Sequence, residues 1–177
     1  LTDAGVRDIV WRARTKESVP LLAKLAGDPG TDLSQRLRYF RAFDFNPAAT
    51  EKSNALLQIL KANSGSSAAS ATDVTKLALR HLDPGFVKGS SEATAALNKL
   101  MDALYGTPEY MELVTRYEPA SENARLNKLA LEKANDRIGV DAARQLLKQN
   151  GSSLIWAALD GSDAEAAGNM LLALRRV

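Results

Sequence analysis

Between Arg36 and Arg41 the chain sets three guanidinium groups beside two aromatic rings: Arg36, Arg38, Tyr39, Phe40 and Arg41. Guanidinium forks match oxyanions, and aromatic faces can stack on bases, so this cluster has the chemistry of a nucleic-acid or anionic-ligand surface. Helical spacing splits it. Arg38 and Arg41 share a side, whereas Arg36 sits away from Arg38. Arginines of stacked helices also bridge to carboxylates of a neighbouring hairpin, and that structural reading is the preferred one. Arg36, Arg38, Tyr39 and Arg41 nevertheless form the candidate interaction surface of the chain.

Other chemistry-bearing residues stand more isolated. His81 is the single histidine, and the chain has no cysteine, so a metal site is poorly supported and His81 is read as structural or superficial. Glu109 and Glu112 lie three apart on one helix and could pair for acid–base work. Glu109, however, falls in the first helical turn after Thr107-Pro108, where an acid simply complements the helix dipole. Trp11 and Trp156 are read as packing residues with one wet edge. Gly65, Gly85 and Gly89 lack the lysine and spacing of a phosphate loop. No catalytic constellation, cofactor site or metal site emerges, and the chain is read as a non-enzyme.

The elements that position these residues are helical throughout. Val6, Ile9, Val10 and Ala13 recur at helical spacing and predict a helix over about residues 3–14. A second follows over about 16–26 and ends at Asp28-Pro29-Gly30. A third starts at Thr31 or Asp32 with Thr31 as its expected cap, and its expected inner face is Leu33, Leu37 and Phe40 with Tyr39 and Phe43 nearby. Asn46-Pro47 and Thr107-Pro108 pair a cap with a proline in the first turn, and both read as helix starts. Ser64 to Ser70 is a small polar stretch suited to a loop, and Ser70 to Asp73 resembles a capping box. Asp83-Pro84-Gly85 breaks the chain again, Glu118-Pro119 stops a helix, and Ser121 is expected to cap the next. Asn150-Gly151 closes another, and Ser162 with Glu165 forms a second capping box.

No stretch alternates with period two. The fold class is therefore all-α, with about ten or eleven helices in hairpins recurring every 30–40 residues or so. That spacing points to a HEAT-like α-solenoid of about five hairpins spanning residues 1–177 as one domain; a compact helical bundle is the alternative.

Composition narrows the functional classes. The chain has 177 residues, with 45% hydrophobic, 25% charged and only 6% aromatic, which suits a folded core of Leu, Ala and Val. Its 23 basic and 21 acidic residues leave a net charge of +2. So near a balance argues against a duplex-binding protein, although the N-terminal hairpins lean mildly basic. Absence of cysteine excludes disulfides, a cysteine nucleophile and covalent c-type haem attachment within this sequence. No apolar run approaches the roughly 18 residues that would span a bilayer, so no membrane insertion is expected. A chain opening at Leu1 is expected to be cut from a longer protein.

Asp8-Ile9-Val10-Trp11-Arg12-Ala13-Arg14, Val19-Pro20-Leu21-Leu22 and Arg38-Tyr39-Phe40-Arg41-Ala42-Phe43-Asp44-Phe45 together carry a likeness. They resemble the HEAT-like region of large multidomain haem-binding proteins common in planctomycetes and their relatives. In those proteins a sugar-dehydrogenase-like propeller precedes the repeats and a CxxCH cytochrome module follows. The likeness covers about residues 8–45, and neither flanking module is present. It implies a non-catalytic scaffold that contacts a protein partner or neighbouring domains of the same chain, in an exported, periplasmic or cell-surface parent. The alternative from a different class is a nucleic-acid-binding protein resembling the HEAT-like alkylpurine DNA glycosylases. For that reading the sequence lacks a recognisable Asp–Trp catalytic cluster.

Overall fold

The computed structural model describes Leu1, residues 3–63 and residues 69–177. The described residues hold twelve α-helices and one 3₁₀ turn, with no strand among them. The chain divides into two units, Leu1–Leu100 and Met101–Val177. Most of the loop expected over 64–70 lies outside the described residues.

The first unit contains α1 (Ala4–Arg12), α2 (Ser18–Gly27), α3 (Leu33–Asp44), α4 (Ala49–Asn63), α5 (Ala69–His81), α6 (Pro84–Gly89) and most of α7 (Ser91–Leu104). α1, α3, α6 and α7 begin where short polar side chains satisfy free N–H groups of a first turn. Asp3 accepts from Val6 N at 2.9 Å and Asp32 from Gln35 N at 3.0 Å. Thr31 is not the cap of α3. Its buried hydroxyl donates back to Leu25 O at 2.8 Å and so ties down the end of α2. Asp83 both ends α5's chain direction and caps α6, accepting from Phe86 N at 3.0 Å with Pro84 in the first turn. This six-residue helix is the element that reading Asp83-Pro84-Gly85 as a plain break leaves out.

Within this unit α2 packs against α3 and α4, α3 against α5, and α4 against α5, while α1 lies on α2 and α3. Leu22, Phe40, Phe43, Leu56, Leu60, Leu79 and Leu82 are fully buried. Each such side chain contributes about 1.5–3 kcal/mol of burial. The buried arc of α3 is Arg36, Tyr39, Phe40 and Phe43, whereas Leu33 and Leu37 are 59% and 46% exposed. The expected Leu33–Leu37–Phe40 face is therefore corrected by a rotation of the helix. Burying three large aromatic rings outweighs burying two leucines.

The second unit contains α8 (Pro108–Tyr117), the 3₁₀ turn Ala120–Glu122, α9 (Asn123–Glu132), α10 (Arg137–Lys148), α11 (Ser152–Asp160) and α12 (Ala164–Leu174). Thr107 caps α8 as its sequence predicts, and Glu118 ends that helix in the left-handed region, φ 47°. Three expected caps are corrected. Ser70 lies inside α5; the Ser121 position is a 3₁₀ turn; and Asp163, rather than Ser162, accepts from Glu165 N and Ala166 N. Asn150, φ 58°, takes the left-handed position after α10, and Gly151 N then donates to Leu146 O. α9 packs on α10, α11 and α12, and α10 also contacts α8 and α12.

Candidate functional site

On the outer arc of α3, opposite Phe40 and Phe43, lies a cavity of about 620 Å³ within the first unit. Its walls come from α1 and the segment after it (Trp11, Arg12, Arg14), from α3 (Leu37, Arg38, Arg41, Ala42) and from Phe45 at the end of α3. Residues 38, 41 and 45 fall at helical spacing on one side, which is why α3 alone supplies two arginines and a ring to the same wall. The volume is in the range of small-molecule and side-chain pockets.

The rings and cations of this cavity are interleaved. The Arg38 guanidinium lies over the Trp11 ring, 5.3 Å from its centroid, and Arg12 lies over the same ring at 5.2 Å. Arg14 lies over the Phe45 ring at 5.5 Å. Asp8, one turn earlier on α1, fixes the indole by accepting from Trp11 Nε1 at 2.8 Å and pairs with Arg12 at 3.2 Å. Arg14, Arg38 and Arg41 make no hydrogen bond or ion pair among the described residues. Cation–π contact holds a guanidinium in place while leaving its in-plane N–H donors open.

The four residues of the sequence-derived surface separate. Arg38 and Arg41 line the cavity and are exposed. Arg36 is 6% exposed and Tyr39 3%, so neither presents a surface. Arg36 Nη2 donates to Asp28 O at 2.9 Å and to Pro29 O at 3.5 Å, clamping the turn after α2. Residues 36, 40 and 43 share one helical face, so burying Phe40 and Phe43 buries Arg36 with them. Trp11, Arg12, Arg14 and Phe45 are the members that sequence reasoning about the cluster missed. Trp11 and Arg38 are brought together only by the packing of α1 on α3.

The remaining candidates do not assemble a site. His81 Nδ1 is 2.8 Å from Asp44 Oδ1, and its ring stacks on buried Phe40 at 5.9 Å, which ties α5 to α3. Glu109 occupies the first turn of α8, and Glu112 is exposed on the same helix. Trp156 is 61% exposed on α11, in the second unit. No group of three or more His, Asp or Glu residues that could hold a metal converges among the described residues. No described helix is long and apolar enough to cross a membrane.

The second unit holds a partly buried polar knot that the sequence did not announce. Glu122, 6% exposed, accepts from the Tyr110 hydroxyl at 2.7 Å, and Arg125 Nη1 reaches both Glu122 at 3.4 Å and Asp102 at 2.6 Å. Arg125 also lies over the Tyr105 ring at 4.5 Å. Burial, then the hydrogen bond to Glu122, push the Tyr110 phenol well above its ordinary range. These groups satisfy one another, and the knot is a structural tie rather than an open site.

Comparisons with family models, with curated proteins and with solved structures returned no match.

Proposed function

We propose that this chain is a non-catalytic, HEAT-like helical interaction domain that docks an anionic partner at the Trp11–Arg38–Arg41 cavity. The observation that carries the reading is the set of three guanidinium groups, on Arg14, Arg38 and Arg41, around one cavity with no carboxylate partner of their own among the described residues. They differ in this from Arg125 of the second unit, which is paired with Asp102 and Glu122. The solenoid form is supported by the order of packing. α2 meets α3 and then α4, and α3 meets α5, so one hairpin stacks on the next as helical repeats do.

The test is a fluorescence-anisotropy titration with a panel of anions: an acidic peptide, a single-stranded oligonucleotide and a DNA duplex, at about 50 and 200 mM salt. Binding of at least one anion, lost in an Arg38→Gln/Arg41→Gln double variant, is the expected result. A chain that binds none of them, or a double variant that binds as well as the parent, overturns it.

A further inference from the structure

Resting on that reading, the geometry points to the class of the partner: we propose that the cavity takes an acidic peptide segment, its carboxylates on the guanidinium groups and an apolar side chain against Leu37.

Three observations converge on this class. The first concerns the rings. A single-strand-binding surface offers open aromatic faces on which bases stack. Here the Trp11 ring is overlain by Arg38 and Arg12, and the Phe45 ring by Arg14. The rings serve as seats for cations, so the surface reads oxyanions rather than bases.

The second concerns charge and extent. Affinity for a nucleic-acid backbone comes from many phosphate contacts tracked by an extended basic surface. This site is one cavity of about 620 Å³ on a chain of net charge +2. It matches a few side chains of a peptide better than a run of nucleotides.

The third concerns how the cations are held. Arg38 is seated on Trp11 and Arg14 on Phe45, so the two forks are fixed on different rings. Arg41 stands one turn along α3 from Arg38. Separate, pre-oriented planar forks suit separate carboxylates, each in a bidentate pair. In the same lining Leu37 is 46% exposed, which gives an apolar residue flanked by acids a surface to cover.

The experiment titrates the whole chain with a labelled peptide of alternating glutamate and leucine, its phosphoserine-for-glutamate counterpart, and an oligothymidylate of equal charge. The expected result is peptide binding about tenfold tighter than oligothymidylate, weakened about tenfold by Arg38→Gln and also by Arg41→Lys, which keeps the charge and removes the fork. Arg137→Ala, a highly exposed arginine of the second unit, leaves it unchanged. Oligothymidylate binding as tightly as the peptide, or binding of the phosphorylated peptide alone, with the same dependence on Arg38, overturns the carboxylate assignment while anionic docking stands. Absence of binding by all three probes, or an equal loss in Arg137→Ala, overturns both.

Discussion

The guanidinium of Arg38 lies over the indole of Trp11, 5.3 Å from the ring centroid, and this contact joins α3 to α1. Val10 is the only buried residue of α1, so the helix is held mainly by this pairing and by its short packing on α2 and α3. A double-mutant cycle of Trp11→Ala and Arg38→Ala, read by urea unfolding, is expected to give a coupling of about 0.5–1 kcal/mol. Zero coupling would mean that the ring contributes area alone and does not seat the cation.

Arg36 and Arg38 differ by two positions and should differ sharply in their effect on stability. Arg36 is buried and donates to the carbonyls of Asp28 and Pro29, so Arg36→Ala leaves the turn after α2 unclamped. The expected cost is about 2 kcal/mol, typical of losing a buried hydrogen bond from a charged group. Arg38→Ala on its own should stay within about 1 kcal/mol, since the residue is exposed and its tie is a single ring contact. Chemical denaturation of the two variants side by side decides it. Equal losses would sink the division of the cluster into a structural and a surface half.

That division marks where sequence reading ran out. The chain breaks were legible, because Asp-Pro-Gly, Asn-Pro, Thr-Pro and Asn-Gly act through local backbone chemistry. The phase of α3 was not. Apolar residues at positions 33, 37, 39, 40, 43 and 45 surround much of that helix, and only the helices packed against it select which arc is buried. Residue type then misled, since an arginine reads as surface although Arg36 shares its face with Phe40 and Phe43. Trp11 could not be joined to Arg38 from sequence at all, because tertiary packing alone brings them together. Caps failed for a related reason: Ser162 and Asp163 are both competent, and a choice between neighbours turns on one residue of register.

The Tyr110–Glu122 pair predicts a pH dependence at the alkaline end. Burial first, and the Glu122 hydrogen bond second, raise the phenol's folded-state pKa above its unfolded value of about 10. Above that value the unfolded chain releases a proton that the folded chain retains. Stability is therefore undiminished below about pH 10 and falls as pH rises further, by up to about 1.4 kcal/mol per pH unit for this group. Tyr110→Phe should cost about 1–2 kcal/mol at neutral pH, because Glu122 loses a buried donor, yet flatten the alkaline decline. Tyr105, whose pKa is also raised by burial, leaves a residual slope. Urea unfolding of both proteins from about pH 8 to 11 tests this; parallel curves would remove Tyr110 as the titrating group.

Two helical glycines should respond in opposite directions to the same substitution. In an open helix position, Gly→Ala gains about 1 kcal/mol from helix propensity. Gly168 on α12 is such a position, since an added Cβ meets nothing within 4 Å. At Gly139, in the first turn of α10, an added Cβ would stand 2.0 Å from Lys133 O and 3.1 Å from Ala134 N. Those atoms are backbone of the α9–α10 connection, where Asp136 N donates to Lys133 O at 2.9 Å, so they cannot swing aside as a flexible side chain would. Relief requires moving α10 relative to α9, and the two helices form the principal hairpin of the second unit. Gly139→Ala is expected to lower stability by about 2–3 kcal/mol, in the range of overpacking a filled site, whereas Gly168→Ala raises it by about 0.5–1 kcal/mol. Thermal unfolding of the two single variants reads the sign directly, and a stabilised Gly139→Ala would show that the close approach of α10 to the Lys133 carbonyl is not a fixed feature of the hairpin.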